Sequence, residues 1–593
     1  MDPREQRGTF DIGLVLAGAV SGGAYTAGVV DFLIQALREW EKAKTERPGD
    51  PDIPRHVTRL KVLSGASAGG MTAAVLAASL FDGFDPVTGL AEGQPAPVNN
   101  RLYGCWVDRI DIGHLLADRD LRADPTLVSL LDSTILDDIA AYGFGAGGSR
   151  PGPARPWVGD PLELILTVAN LRGIPYGLPF AGENHPRHEL LRHQDEVRFV
   201  LGSGTPDTSP ADAVHLDPAT RQGPGWELFF RAGLATGAFP LGLAPRVLVR
   251  QRRHYDRRHW DVPEKTVMLG DGKKRVTYGQ TGIMPAWGEK GADGREGDDV
   301  TFLAVDGGLM NNEPFELARK ALAGDDSCNP RGLGDVKRAV LMIDPFPGPG
   351  RDRRKGETTD RPSDVVEVAA RMFSALLAQA RFKPEELALA LNAGVYSRFL
   401  IAPGAGNAAS GRPPMAAAAL GGFGGFLSRK FRRFDFQLGR RDCQRFLRDH
   451  FVLPLEGHAG PAFQAGHSPM AANIELVKAN PVFRDSVDFA TFWRTDSTGA
   501  RVLPIIPLCG AALAEVPLIP RAGIRMTGDE LAALRLPIQN RLTVVATALS
   551  FRTRRVMPRW IVRTLFRLKK KALTAAILDA IRADLAAHGL FEA

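Results

Sequence analysis

The chain has 593 residues, 44% hydrophobic and 24% charged, a composition that excludes a disordered or fibrous protein and allows two to four domains. Its four cysteines, Cys105, Cys328, Cys443 and Cys509, are scattered without a Cys-x-x-Cys pair; this argues against a disulfide framework or zinc ribbon and fits a reducing compartment. The net charge of +7 sits at one end, because residues 541–593 hold 11 Lys and Arg against 3 acidic residues.

Met1–Arg7 is polar and mixed in charge, and the apolar stretch after it contains Asp11 and is broken by glycines, unlike a secretory signal. The most apolar long run, Val502–Leu518, is interrupted by Pro504, Pro507, Glu515 and Pro517, so no membrane span is expected. A cytoplasmic protein, at most peripheral at a membrane, is the expectation. Asp11–Leu16 reads as a buried strand, Gly18–Gly23 as a Gly-rich turn and 24–40 as a helix. A second strand, Arg59–Leu63, leads through Ser64-Gly65-Ala66-Ser67-Ala68-Gly69 into a helix over Met71–Leu80. Val300–Val305 and Ala339–Asp344 are further buried strands. This alternation predicts an α/β fold with a mainly parallel central sheet covered on both faces.

Gly143–Pro156 is Gly/Pro/Arg-rich and reads as a loop. Residues 251–299 form a polar insertion with strand-like pieces at Lys265–Leu269 and Arg275–Gln280. Residues 346–363 read as a linker, 364–400 as helical, and Ala402–Gly422 as a mobile low-complexity segment. The expected organisation is a first domain over 8–345, then a mostly helical region over 364–593 ending in a basic amphipathic helix.

Chemistry concentrates at Ser67. In Gly-x-Ser-x-Gly between a strand and a helix, Gly65 and Gly69 leave room for a nucleophile elbow that lifts the serine into the open at a helix N-terminus. Such a serine needs a base and donors for an oxyanion. The base candidate is Asp306, followed by Gly307-Gly308 at the end of a strand; an ordinary Asp-Gly turn is the alternative. The donor candidates are the backbone amides of Gly18, Ala19, Val20, Ser21, Gly22 and Gly23. A nucleotide loop there is rejected, since Ala24-Tyr25 replaces the Lys-Ser/Thr that Walker A spacing requires, and the Gly-x-Gly-x-x-Gly of Gly143–Gly148 follows no clear strand. A Ser-Asp-His triad is disfavoured because no histidine after Asp306 follows a clear strand. His188 and His193, five apart, do not share a helix face, so with His185 they read as solvated loop residues and no metal or cofactor is expected.

Taken together, these motifs resemble the patatin-like phospholipase family, in particular bacterial patatin-related proteins with a C-terminal extension. Leu16–Val30, Ser67, Arg231–Pro240 and Asp306 stand in the family's order, over about residues 10–345. The resemblance implies a three-layer α/β/α domain, a Ser67–Asp306 dyad acting through an acyl-enzyme, and hydrolysis of phospholipid or other lipid esters. One departure is clear: Ala19 and Val20 occupy two glycine positions of the family's loop, and Gly22 stands where it carries a basic residue. This leaves open a weak or inactive lipid- or partner-binding protein, or an acyltransferase using the same site.

In the tail, Arg559, Arg563 and Arg567 recur every four residues before Lys569-Lys570-Lys571, with Trp560, Ile561 and Leu565 on other faces. The pattern suits either an anionic membrane surface or a packed surface helix; nucleic acid is not expected. Arg429–Phe436 interleaves basic and aromatic residues and suits lipid head groups or an interdomain contact equally.

Overall fold

The strand expected at Asp11–Leu16 runs from Thr9 to Leu16 (β1) and is buried along nearly its whole length, as the middle strand of a sheet covered on both faces must be. The computed structural model describes residues 8–592 except 89–95, 146–154, 180–186, 203–211, 257, 269–273, 288–297, 325–328, 348–394 (apart from 368, 372 and 375), 405–412, 456–470 and 553–558. Over 261–282 and 550–568 only the backbone is described.

Around β1 lie β2 (Val57–Gly65), β3 (Val158–Pro179), β4 (Arg187–Leu201), β5 (Ala213–Leu216), β6 (Arg246–Gln251), β9 (Asp299–Asp306), β10 (Arg338–Ile343) and β11 (Arg398–Ile401). The strand order is β11-β10-β1-β2-β3-β4-β5, with β9 on β3 and β6 on β9. Pairings among β11, β10, β1, β2 and β3 are parallel, as is β4 with β5. β3 pairs antiparallel with β4 and with β9, and β9 antiparallel with β6. The sheet is mainly parallel, as expected.

Residue alternation along the strands sorts two helical layers. Val15, Val62, Ile165 and Val340 pack with Phe315, Ala318 and Leu322 of the helix Phe315–Ala323. Their neighbours Leu14, Leu16, Leu63, Leu164 and Leu166 join the main core on the other face. That core includes residues of the helices α1 (Gly23–Glu46) and α2 (Ser67–Leu80). The result is an α/β/α sandwich. The segment Val20–Glu46 is long and apolar enough to cross a bilayer by composition, but 94% of its most apolar window is buried inside the protein, which makes it a core helix.

Two expectations about the later chain change. The boundary at 345 does not separate two cores: Arg398–Ile401 add to the sheet beside β10, so the helix expected up to residue 400 ends in a strand. Most of 364–394, and the linker from residue 348 onward, lie outside the described residues. Second, Arg429–Phe436 opens a 21-residue helix, Arg429–Asp449, whose Phe431, Arg432, Phe434, Asp435 and Phe436 are buried. It packs along α1, so this basic-aromatic segment is an internal contact. The helices approach closely because Gly28 backs onto the Phe436 carbonyl and Gly439 onto the Tyr25 carbonyl. A buried pair, Arg440 with Asp31, locks the register, with Asn100 donating to the same carboxylate at 2.6 Å. Burial lowers the Arg440 pKa to about 9. Gly28→Ala would drive a methyl group into the Phe436 backbone. A loss of about 3 kcal/mol, the upper range for overpacking, is the expected result in chemical denaturation.

The insertion carries the two expected strands as a hairpin, β7 (His259–Met268) with β8 (Lys274–Gly282). It links the antiparallel neighbours β6 and β9. The backbone over Arg559–Ala587 is one helix, but the side chains of its Arg559, Arg563 and Arg567 lie outside the described residues.

Candidate active site

β2 ends at Gly65, Ala66 is extended, and α2 begins at Ser67 itself. The turn is so tight that Ser67 sits in the left-handed region at φ +52°, a conformation costing about 1–3 kcal/mol for a non-glycine residue. Neighbours hold it there. A Cβ on Gly65 would lie 2.8 Å from the backbone of Gly69 and Gly70, and one on Gly69 would strike the carbonyls of Leu16 and Ala17. The Ala66 amide donates to the Leu16 carbonyl at 3.2 Å, and the Ser67 amide to Thr236 Oγ1 at 3.1 Å. Both elbow glycines are therefore required by contact.

Asp306 closes β9, and its path is fixed by the same Thr236 segment. The Asp306 amide donates to the Ala238 carbonyl at 3.0 Å and the Gly307 amide to the Thr236 carbonyl at 3.3 Å. Gly307 rests on the Thr167 carbonyl with no room for a side chain. Across 239 residues of chain, Ser67 Oγ donates to Asp306 Oδ2 at 2.6 Å. The second oxygen, Oδ1, accepts the Gly308 amide at 2.7 Å. Burial pushes the Asp306 carboxyl up to about 6, against the downward pull of the Ser67 and Gly308 hydrogen bonds. A carboxylate poised there is ionised at neutral pH and a better proton acceptor than an exposed one near 4. The serine–aspartate pair is thus built as a hydrogen-bonded unit, and Asp306 is more than a turn residue.

The Gly18–Gly23 loop divides. Gly18, Ala19 and Val20 line a cleft of about 210 Å³ together with Ser67, Asp306 and Asn312. The Gly18 amide is taken by the Asn312 carbonyl at 3.1 Å. The amides of Ala19 and Val20, in the same cleft lining as Ser67, donate to no protein group among the described residues. Ser21, Gly22 and Gly23 are not in that lining, so with the Gly18 amide already bonded the six expected donors narrow to Ala19 and Val20. The Ser21 hydroxyl turns away to the Gly422 carbonyl, Gly22 faces Phe346 and Met415, and Gly23 is pressed against Trp106. Val20 has φ +48°, a strained position for a β-branched residue. Val20→Gly should therefore stabilise the fold by about 1 kcal/mol, strain relief offset by the extra freedom of the unfolded glycine. Thermal unfolding of the variant checks this.

On the other side of Ser67 lies a narrow apolar cavity of about 70 Å³. Met71, Val75, Trp106, Leu136, Phe144 and Phe239 are among its walls. Ser67, Val20 and Phe239 belong to both spaces, so the hydroxyl stands between a more polar cleft and an apolar chamber. Sequence reasoning missed three participants: Thr236, Asn312 and the 421–426 segment that reaches the site. Thr236 lies within the small-residue stretch Arg231–Pro240 already singled out; Asn312 follows Asp306 by six residues. Nothing local marks the third, because its role arises from a contact across the chain. His188 and His193 lie on strand β4, not in a loop, and His193 Nδ1 contacts the Asn170 carbonyl at 2.7 Å; His185 lies outside the described residues.

No family model matches the chain. It is 35% identical to "Uncharacterized protein y4iI" of Sinorhizobium fredii over 578 residues, covering 91% of this chain and 76% of that protein. The chain belongs to the family of y4iI. Among solved structures, VipD of Legionella pneumophila aligns over 98% of this chain and 88% of its own, at 12% identity and a TM-score of 0.22. A superposition of that quality carries no argument about fold or chemistry.

Proposed function

We propose that this protein is a serine acyl-ester hydrolase acting on lipids, with Ser67 as nucleophile and Asp306 as its base. The observation that carries the reading is the 2.6 Å hydrogen bond from Ser67 Oγ to Asp306, at the mouth of an apolar chamber suited to an acyl chain. Asp306 takes the Ser67 proton as Oγ attacks the acyl carbonyl. The tetrahedral oxyanion is held by the free amides of Ala19 and Val20, at the N-terminal side of the α1 helix. Collapse expels the alcohol, which takes the proton from Asp306, and leaves an acyl-Ser67 ester. Water, deprotonated by Asp306, then releases the fatty acid. No metal or cofactor enters this sequence.

The test is release of fatty acid from phosphatidylcholine and phosphatidylglycerol vesicles, with products resolved by mass spectrometry. Fatty acid release that disappears in Ser67→Ala supports the reading. Vesicle binding without release favours the non-hydrolytic alternative, which the strained Val20 in the donor loop keeps in view. Acyl-lysolipid products formed on adding a lysolipid acceptor would assign acyl transfer. Within the same proposal, the basic helix Arg559–Ala587 meets an anionic membrane. Replacing Lys569, Lys570 and Lys571 by glutamine should weaken co-sedimentation with phosphatidylglycerol vesicles by about 1 kcal/mol per lysine at low salt.

A further inference from the structure

Of the segment Ala402–Gly422 read from sequence as low-complexity and mobile, residues 405–412 lie outside the described residues, and the part from Pro413 on is packed and hydrogen-bonded. Met415, Ala416, Ala417 and Ala419 are buried, and Phe423 and Phe426 stand in the wall of the apolar chamber. Phe423 meets Phe239 of the first domain edge to face, with ring centroids 5.6 Å apart, and Phe426 at 6.1 Å. Gly421 lines the polar cleft on the other side of Ser67.

This strap, residues 413–427, is tied down at several points by parts of the chain distant from one another. The buried Ser21 hydroxyl, beside the oxyanion loop, bonds to the Gly422 carbonyl and accepts the Gly425 amide at 3.0 Å. Asp435 of the helix packed on α1 accepts the amides of Ala416 and Ala417, each at 2.8 Å. Asp584 of the terminal helix accepts the Leu420 amide at 2.6 Å. Arg521 holds the base of the strap through the carbonyls of Pro413 and Pro414 at 2.7 and 3.1 Å. Between these ties the backbone makes a left-handed run, Leu420 at φ +53°, Gly421 at +62° and Gly422 at +102°. A leucine held there is strained, and it persists only because the surroundings over-determine it. Gly425, by contrast, is required by contact: a Cβ there would sit 2.7 Å from Ser21 Oγ.

We infer that this strap is the specificity-determining wall of the acyl site: Phe423 and Phe426 set the length and bulk of chain admitted beside Ser67, and Asp584 is a positioning residue that sets where they stand. The inference rests on the proposed lipid reading only for the nature of the ligand. Its geometric content, an apolar chamber closed by two phenylalanines from the C-terminal region, does not depend on Ser67 being reactive. A wall built this way ties substrate choice to the terminal helix, since a hydrogen bond from that helix fixes the backbone three residues before Phe423.

The test is therefore binding, with chemistry kept separate. Calorimetric titration of full-length protein with saturated fatty acids from hexanoic to octadecanoic gives an affinity profile against chain length. Phe423→Ala should move the optimum to a longer chain and tighten the longest acids at least tenfold relative to the shortest. Asp584→Ala should shift the profile in the same sense by a smaller factor, and Asp584→Asn, which keeps an oxygen acceptor for the Leu420 amide, should restore the wild-type profile. Loss of stability alone would weaken all chain lengths together. An unchanged profile in a folded Phe423→Ala protein, judged by circular dichroism, would overturn the inference, as would Asp584→Asn and Asp584→Ala behaving alike. If Ser67 proves inert to acylating probes while the profile shifts as stated, the hydrolase reading fails and the wall stands.

Discussion

Ser67→Ala is expected to remove all covalent labelling by fluorophosphonates and all acyl-ester turnover, with the fold intact. The hydroxyl is the only atom removed. Its hydrogen bond to Asp306 Oδ2 is lost, while Oδ1 still accepts the Gly308 amide. Turnover should fall to the background that binding and the amide donors supply alone, a loss of about 10³-fold or more. Intact mass after exposure to the probe reads labelling, and fatty-acid release reads turnover. Labelling at another residue with undiminished turnover would remove Ser67 from the chemistry. Stability should fall by about 1–3 kcal/mol at neutral pH, because the buried Asp306 carboxylate loses a donor, while alanine in the left-handed region keeps the same strain.

Asp306→Asn has the second largest expected effect and cuts in two directions. The amide cannot take the Ser67 proton, so turnover should fall by about 10²–10⁴-fold, the range for loss of a positioned base. Stability should rise. Burial lifts the carboxyl from 3.8 to about 6 in the folded protein, so the folded state binds the proton more tightly than the unfolded chain. Stability from this group is fullest below about pH 4, falls as pH rises from 4 to 6, and stays lower above 6. A shift of about two units corresponds to about 3 kcal/mol, an upper bound on what a neutral asparagine would restore. Denaturant midpoints should therefore show the variant more stable than wild type at pH 7.5, with the difference vanishing towards pH 4. A difference constant across that range would mean the carboxyl carries no such penalty. An active site that gives up stability to keep a buried base ionised is a familiar trade.

How far the sequence carried these conclusions depends on the range of the contacts. The strand–turn–helix around Ser67 is local, and its boundaries follow from Gly65, Gly69 and the apolar runs beside them; the structure moves the helix start only from Met71 back to Ser67. The two-face burial of β1 and β10 is equally local. The hydrogen bond between Ser67 and Asp306 was an expectation drawn from four ordered motifs, and the geometry now gives it a distance. The antiparallel excursion of β3 with β4 and β9 was not legible, because a 22-residue strand that changes partners midway has no periodic signature of its own. The same holds beyond residue 345. Gly- and Ala-rich composition marks chain that can be mobile or chain that fits where nothing larger will. For 413–427 the second is the case, decided by Ser21, Asp435 and Asp584, none of them adjacent in sequence. The pairing of Gly28 with Phe436 likewise turns a basic-aromatic run, open to a lipid interpretation, into the face of a core helix.

If Ser67 is activated by a buried Asp306 whose proton leaves near pH 6, the second-order rate of Ser67 phosphonylation by a fluorophosphonate, followed by intact mass from pH 4.5 to 8.5, carries that signature. The rate should rise about tenfold per unit below pH 6 and level off above it, with the rise absent and the plateau at least about a hundredfold lower in Asp306→Asn. No labelling of Ser67 at any pH, or equal rates in the two proteins, would contradict that activation.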